Sequence, residues 1–416
     1  MMQAVQGKVD SRSMREINRS IVLDIIRRGG RVSRTDLARR SALTKPTVSA
    51  IVEELLARGI VQEVGYGKAL GSGGRRARLL EFNDASAAYL GLRYSATTTQ
   101  IGIADARGTL RAVRELSHPH GDAHVSADPE ARILETLSCL DEVLNEASVP
   151  RDRLQSVGVT VSGLVSQADG IVENAPNLGW HKVPVKDIVS RALGLPVAIS
   201  NDVHGSALAE ARCGAARGAR GFVWVYVGTG VGSGIVHGGE LFHGCSGYSG
   251  EIGHCPVLVE GPECSCGRRG CLEAVASGWA IARDATRAVQ SGERTALADV
   301  AGPLDARTVS ALAVEGDEVA RRILTQVGTY VGIGISTLVN LFDPELIVLG
   351  GKVMLGGDWI VQAARESLAK HTVRRDEVRI VTSSLGDQVG LLGALMNAMD
   401  LSVRSYRVVA TGERVA

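Results

Sequence analysis

The chain of 416 residues exceeds the roughly 100–200 residues of an ordinary domain, so two or three domains are expected and a single small module is excluded. With 45% hydrophobic and 22% charged residues it has material for real cores, which excludes disorder over most of its length. The net charge of +1 conceals an asymmetry: residues 1–80 carry 16 Lys+Arg against 7 Asp+Glu (+9), and the other 336 carry 30 against 38 (−8).

A basic head therefore sits on an acidic body, the footprint of a nucleic-acid-binding module joined to a domain with another task, with a solvated basic face as the plainer alternative. No uncharged apolar run reaches about 18 residues, and the first 20 residues contain no apolar segment of signal-peptide type. A soluble, cytoplasmic protein with no membrane partner is expected. Seven cysteines, an odd number in a long chain without a secretory signal, argue against a disulfide framework and for metal-bound or structural thiols.

In the head, Met14, Ile17, Ile21 and Ile25 recur at steps of three or four and predict a helix over 13–28, ended by Gly29-Gly30. A second helix follows Ser33 over about 34–40, with Asp36 completing something close to a capping box. A third begins at Thr44 as N-cap, with Pro46 in its first turn and Val48, Ile51, Val52, Leu55 and Leu56 on its inner face. Two short helices joined by a tight turn behind a longer support helix make a helix-turn-helix. That geometry offers Lys45, Thr47 and Ser49 to a major groove, with Arg34, Arg39 and Arg40 on the phosphate backbone. Beyond Gly59, a glycine-broken alternation predicts a two-stranded wing whose tip carries Arg75, Arg76 and Arg78, suited to a narrow minor groove. A protein-docking three-helix unit is the alternative.

After a joint expected to be flexible near Asn83–Ser86, strands and helices alternate: a strand pair over YLGLRYSATTTQIGIAD, a helix over 128–147, and buried strands in VGVTVSGLV, PVAIS and GFVWVYVGTGVGSGIV. This is an α/β body. His254, Cys264, Cys266 and Cys271 offer four ligands within eighteen residues, enough to close a tetrahedral zinc site. Three thiolates and one imidazole leave no open position, so such a zinc is structural and not hydrolytic. Cys139, Cys213, Cys245 and Cys255 have no partner spacing and read as ordinary thiols. Beside the zinc loop lie Glu251 and Glu273, and Asn201-Asp202 follows a strand directly. Carboxylates and amides on loops of an α/β body suit a neutral polyol, whose hydroxyls both donate and accept; an Asp directly after a strand, such as Asp202, taken alone is more often a helix N-cap.

These residues resemble the ROK family, which unites bacterial sugar-responsive repressors with sugar kinases, and the resemblance covers nearly the whole chain. EIGHCPVLVEGPECSCGRRGCLE is similar to the family's ExGH followed by CxCGxxGCxE, and VGTGVGSGIVHGGELFHG to its glycine-rich phosphate-loop segment; APNLGW, Asn201-Asp202 and VLGG agree too. The head resembles the family's repressor branch through SRxxLA, a TxxTVS-like recognition helix and a GGR wing, here Gly73-Gly74-Arg75-Arg76 where proline commonly follows the first arginine. The resemblance implies an actin-like (ribonuclease H-like) α/β body of two lobes closing over a cleft behind a winged helix-turn-helix. The expected divisions are 1–82 for the head, 87–200 for lobe 1 with the last helix of 386–416 returning to it, and 201–385 for lobe 2 with the zinc loop 254–271. It further implies that Gly163, Asn177, Asn201, Asp202, Glu251, His254 and Glu273 face a sugar, with His254 giving one ring nitrogen to zinc and the other to the sugar.

In the family's kinases the first strand pair holds a DxGGT phosphate loop, where this chain has Arg93-Tyr94-Ser95-Ala96-Thr97. Losing the acidic group and both glycines removes the nucleotide and Mg²⁺ positioning on which phosphoryl transfer depends. Lys352 after Gly351, in the would-be adenosine region, is a further departure. The reading is a non-enzymatic, sugar-responsive regulator, a repressor of carbohydrate genes, working as a homodimer or homotetramer on an inverted repeat of double-stranded DNA. The alternatives are an ATP-dependent sugar kinase carrying a DNA-binding head, and a scaffold whose cleft takes a partner protein.

Overall fold

A computed structural model describes residues 11–67, 76–118, 128–356, 358–373 and 378–411. The head comprises α1 (Ser11–Gly29), β1 (Val32–Ser33), α2 (Arg34–Ser41), α3 (Lys45–Ala57), β2 (Val61–Tyr66) and β3 (Arg78–Phe82), its strands forming an antiparallel sheet in the order β1-β3-β2. The caps do what the sequence asks. Ser33 Oγ accepts from Asp36 N at 3.1 Å and donates to the Asp36 carboxylate at 2.7 Å, while Thr44 Oγ1 accepts from Thr47 N at 3.3 Å. Leu37, Val48, Ile51, Val52, Leu55, Val61, Leu80 and Phe82 form one core with Val22 and Ile26 of α1.

The apolar stripe expected on α1 turns out differently: Met14, Ile17 and Ile21 are exposed, and burial falls on Val22 and Ile26. Only the C-terminal half of α1 lies over the head's core; ion pairs from Arg15 and Arg19 to Glu54 hold the other half beside α3. The joint at 83–86 is likewise not slack. Residues Asp84–Ser86 form a 3-10 turn, Asn83 Nδ2 donates to Gly59 O at 2.8 Å, Ala106 N donates to Asp84 O at 3.2 Å, and Arg107 pairs with Asp84. Ala106 itself belongs to the head's core, so head and body are fastened together.

The body begins with β4 (Ala88–Tyr94), β5 (Thr98–Asp105), β6 (Leu110–Ser117), α4 (Pro129–Ser138), α5 (Leu140–Ala147) and β7 (Leu154–Val161). The single helix expected over 128–147 is interrupted at Cys139, whose N–H bonds back three residues to Thr136 O at 3.3 Å. A small antiparallel meander, β8 (Leu164–Ser166), β9 (Ile171–Ala175) and β10 (Trp180–Val183), leads to α6 (Val185–Leu193), β11 (Val197–Asn201) and α7 (Asp202–Cys213). Then come β12 (Phe222–Val227), β13 (Val231–His237), β14 (Glu240–Leu241), α8 (Leu272–Ala276), α9 (Gly278–Gln290), α10 (Ala306–Glu315), α11 (Glu318–Phe342), β15 (Leu346–Gly350), α12 (Trp359–His371), β16 (Arg379–Thr382) and α13 (Val389–Thr411).

Two five-stranded sheets share one plan, β6-β5-β4-β7-β11 and β14-β13-β12-β15-β16, each with two antiparallel pairings followed by two parallel ones. This repeated order is the actin-like duplication. The last helix crosses back onto the first sheet: Ser156 Oγ donates to Ala398 O at 2.7 Å and Thr160 Oγ1 to Gly390 O at 3.0 Å. A Cβ at Gly158 of β7 would lie 1.7 Å from Ala394 O, so the helix backbone rests directly on the sheet. Among the described residues no helix is long and apolar enough to cross a membrane.

Candidate functional site

The loop after β14 brings the four soft ligands together. The side-chain donors of His254, Cys264, Cys266 and Cys271 lie within 4.8 Å of one another, with Cys264 and Cys271 buried. Cys266 Sγ to Cys271 Sγ is 3.7 Å and Cys264 Sγ to His254 Nδ1 is 3.8 Å. Tetrahedral zinc with Zn–S of about 2.3 Å sets its ligands about 3.8 Å apart, so this donor set fits the ion in both chemistry and spacing. Burial and the neighbouring thiols raise Cys271 to about 12; for Cys266 the upward push of burial is outweighed by Arg268 N–H and the other thiols, which lower it to about 7. The backbone closes the loop independently, through Val257 N to Gly270 O, Gly270 N to Pro262 O and Leu272 N to Cys255 O, each at 2.9 Å.

His254 turns its other nitrogen away from the thiols, with Nε2 3.9 Å from Glu251 Oε2. Gly250 seats both residues against β13: its carbonyl accepts from Ser233 N at 2.9 Å, and at its φ of +86° a Cβ would strike Ser233 O at 2.0 Å. Glu251 is half-buried and accepts no hydrogen bond among the described residues. Burial raises its pKa first, Asp202 and Glu273 raise it further, and His254 opposes them, so these groups share one locale.

The other expected sugar residues divide by role. Asn201 caps α7, accepting from Val203 N at 2.8 Å and His204 N at 3.4 Å, and its Nδ2 donates to Gly163 O at 2.8 Å. It thereby joins Gly163 to Asp202, the first residue of α7, whose carboxylate takes a hydrogen bond from Ser162 Oγ. Glu273 is engaged too: Oε2 accepts from Val231 N at 3.0 Å and Oε1 from Ser265 Oγ at 3.1 Å, tying metal loop to glycine loop. Asn177 stands exposed on the turn between β9 and β10, and no hydrogen bond among the described residues joins it to the others. Ser162 and Ser265 were missed in the sequence; their adjacency to Gly163 and to the CxC cysteines was the available signal.

The degenerate loop is closed on itself. Ser95 N donates to Thr98 O at 2.9 Å and Thr98 N to Ser95 Oγ at 3.2 Å, which uses amides that an open phosphate loop would present. Arg132, buried behind the turn, donates to Ser95 O at 3.3 Å and Thr99 Oγ1 at 3.1 Å. On the second loop a Cβ at Gly228 would meet the Tyr226 hydroxyl at 2.2 Å, so the phenol packs against Gly228. Tyr226, the residue leading into the glycine run, was not singled out from sequence.

On the head, Lys45 is exposed at the start of α3, and Thr47 and Ser49 are partly exposed one and three positions past Pro46; the Thr47 hydroxyl is 2.8 Å from that of Thr44. Arg34 is drawn aside, with Nη2 2.8 Å from Glu53 and 3.7 Å from Glu63, and Arg39 pairs with Asp36 at 2.9 Å. Arg40 and Arg76 are exposed. Arg75 lies outside the described residues, and Arg78, expected at the wing tip, is part of strand β3 and paired with Glu63.

Fold and site together define a winged-helix head on a two-lobed actin-like body of the sugar-kinase type, with a His/Cys cluster that could hold a metal ion after β14. The ROK family profile matches residues 89–400, three quarters of the chain, and the MarR family profile matches 16–66. The chain belongs to the ROK family. It is 32% identical over 387 residues to a putative xylose repressor of Caldicellulosiruptor sp. (strain Rt8B.4), covering 92% of this chain and 95% of that protein. A solved ROK family transcriptional regulator, a homolog of the Escherichia coli MLC protein, matches with a TM-score of 0.82 at 27% identity, covering 96% of this chain and all of the other. A ROK family glucokinase from Streptomyces griseus, solved with glucose and AMPPNP, matches with a TM-score of 0.64 at 27% identity, over 75% of this chain and 99% of its own.

Proposed function

We propose that the chain is a sugar-responsive DNA-binding transcriptional regulator of the cytoplasm, a repressor of carbohydrate uptake or catabolism genes. Its head (1–82) reads an inverted repeat as part of a homodimer or homotetramer; lobe 1 (87–200, with the helix of 386–416) and lobe 2 (201–385) close over a sugar. The observation that carries this is Glu251, a half-buried carboxylate without a hydrogen-bond donor among the described residues, beside His254 Nε2 and near Asp202. Such an acceptor is satisfied by a ligand hydroxyl. Asp202, Glu251 and His254 contact the sugar directly; Asn201, Gly163 and Glu273 position them, and Asn177 joins as the lobes close.

A structural zinc held by His254, Cys264, Cys266 and Cys271 supplies a fixed charge that sets the His254 tautomer and anchors the loop. The fastened joint at 83–86 supports rigid transmission, since movement of lobe 1 carries the head with it. On DNA, Lys45, Thr47 and Ser49 face the major groove, Arg75 and Arg76 the minor groove, and Arg34 takes a phosphate after leaving Glu53 and Glu63. The self-closed 95–98 turn and the phenol on the second loop support a regulator without kinase activity. Quantitative gel shifts on DNA upstream of its own and neighbouring carbohydrate genes, with xylose and glucose among the sugars, test the reading. Specific binding altered by one sugar is expected; ATP-dependent phosphorylation of a sugar, abolished by Asp202→Asn, would overturn it.

A further inference from the structure

His204 is only 1% exposed and stands in the first turn of α7, two residues past Asp202. Its Nε2 lies 2.9 Å from Ser249 O; a carbonyl only accepts, so Nε2 carries the proton and donates it. Nδ1 is then a bare acceptor, buried and without a partner among the described residues. The ring of His243 lies nearly perpendicular, at 81° with centroids 5.6 Å apart, and burial lowers the pKa of His204, so its ring is neutral. An imidazole buried with one nitrogen unmatched costs more than an aliphatic side chain of similar size, so the hydrogen bond to Ser249 is what the position gains from a histidine.

That bond ends two residues before Glu251. α7 is seated on β13, where a Cβ at Gly234 would lie 2.7 Å from Val203 O, so helix and strand form one platform. The chain entering Glu251 is pinned to this platform at two consecutive carbonyls. His204 of α7 holds Ser249 O, and Ser233 of β13 holds Gly250 O through N at 2.9 Å and Oγ at 2.8 Å. Between the pins lies Gly250, whose φ is +86°. Fixing the peptide planes on both sides of this glycine fixes its two soft dihedrals, and with them the direction in which the chain leaves toward the Glu251 carboxylate.

We propose that His204 is a positioning residue of the ligand site, its Nε2–H hold on Ser249 O aiming Glu251 at the ligand while His204 itself touches none of it. The inference rests on the sugar-responsive reading above and adds a residue on which that site depends. Two variants of the metal-loaded full chain separate the hydrogen bond from packing: His204→Leu fills the space without a donor, and His204→Gln keeps an N–H at the reach of Nε2. Hydrogen exchange read by mass spectrometry on the ligand-free proteins reports the pin. Calorimetric titration with a panel of pentoses and hexoses, glucose and xylose among them, reports its effect on binding. His204→Leu is expected to speed exchange across 243–251 and leave 264–273 unchanged, and to weaken the sugar that wild type binds by about 10-fold, the worth of one net hydrogen bond. His204→Gln is expected to restore most of both. Wild-type affinity in His204→Leu, or a His204→Gln as weak as His204→Leu, overturns this inference and leaves the sugar-responsive reading standing. Unchanged exchange across 243–251 in His204→Leu overturns it as well. If wild type binds no sugar of the panel, both readings fall together.

Discussion

Glu273 ties three parts of lobe 2 together, and removing it should separate two effects that the structure links. In Glu273→Ala, the Val231 N–H at 3.0 Å and the Ser265 hydroxyl at 3.1 Å both lose their acceptor. Val231 is 6% exposed, so water does not readily replace the carboxylate there. Leaving a buried donor unmatched costs about 1–3 kcal/mol, and with the bond from Ser265 the whole change comes to about 2–4 kcal/mol. Ser265 stands between Cys264 and Cys266, so loss of its anchor should also weaken metal binding by about 10–100-fold, as for other groups that orient metal ligands. Urea unfolding of the metal-loaded chain reads the first effect, and competition for zinc with a chromophoric chelator reads the second. Ser265→Ala should reproduce most of the metal effect and little of the stability effect. A Glu273→Ala protein with unchanged unfolding midpoint and zinc affinity would refute the assigned role.

The remaining predictions concern packing, charge and DNA. Gly158→Ala places a Cβ 1.7 Å from Ala394 O and must push α13 off the first sheet, costing about 1–3 kcal/mol or more in urea unfolding; full stability would mean that the helix does not rest there. Burial raises the pKa of Glu210 above its ordinary 4.5, against the opposing bonds from Ser383 and Ala215 N. A raised folded pKa means that its contribution to stability is present below 4.5 and is lost as pH rises through the folded value. Glu210→Gln should therefore gain stability relative to wild type between pH 4.5 and neutrality, and parallel stability profiles would contradict this. Lys45→Ala should weaken operator binding across sequences and reduce the slope of log affinity against log salt by about 1. An unchanged slope would place Lys45 off the phosphates.

Local chemistry was the legible part of this chain. The caps Ser33 and Thr44, the Pro46 start of α3 and the CxC-x4-C run all state their structure through short-range spacing, and each forms as expected. Tertiary context decided the rest. Periodicity cannot say which half of α1 meets a core, so Met14, Ile17 and Ile21 read as buried when Val22 and Ile26 take that place. Composition suggested slack at 83–86, but the tie from Arg107 to Asp84 comes from a residue of the next hairpin. Arg34 and Arg78 read as free DNA-facing cations because their carboxylates, Glu53 and Glu63, lie on other elements. Among the residues expected to face a sugar, residue type alone does not give role: Asn201 and Glu273 are engaged by backbone amides, whereas the Glu251 carboxylate has no hydrogen-bond donor among the described residues.

The central claim is that ligand in the cleft changes the grip of the head on DNA. Fluorescence anisotropy on the operator, with wild type and Glu251→Ala measured side by side at fixed salt across free and phosphorylated sugars, tests it most directly. The account predicts that one ligand shifts wild-type affinity by about 5–150-fold, corresponding to a coupling of about 1–3 kcal/mol, and that Glu251→Ala binds the operator without responding. A variant that responds as wild type does, or a wild type that ignores every ligand, would contradict it.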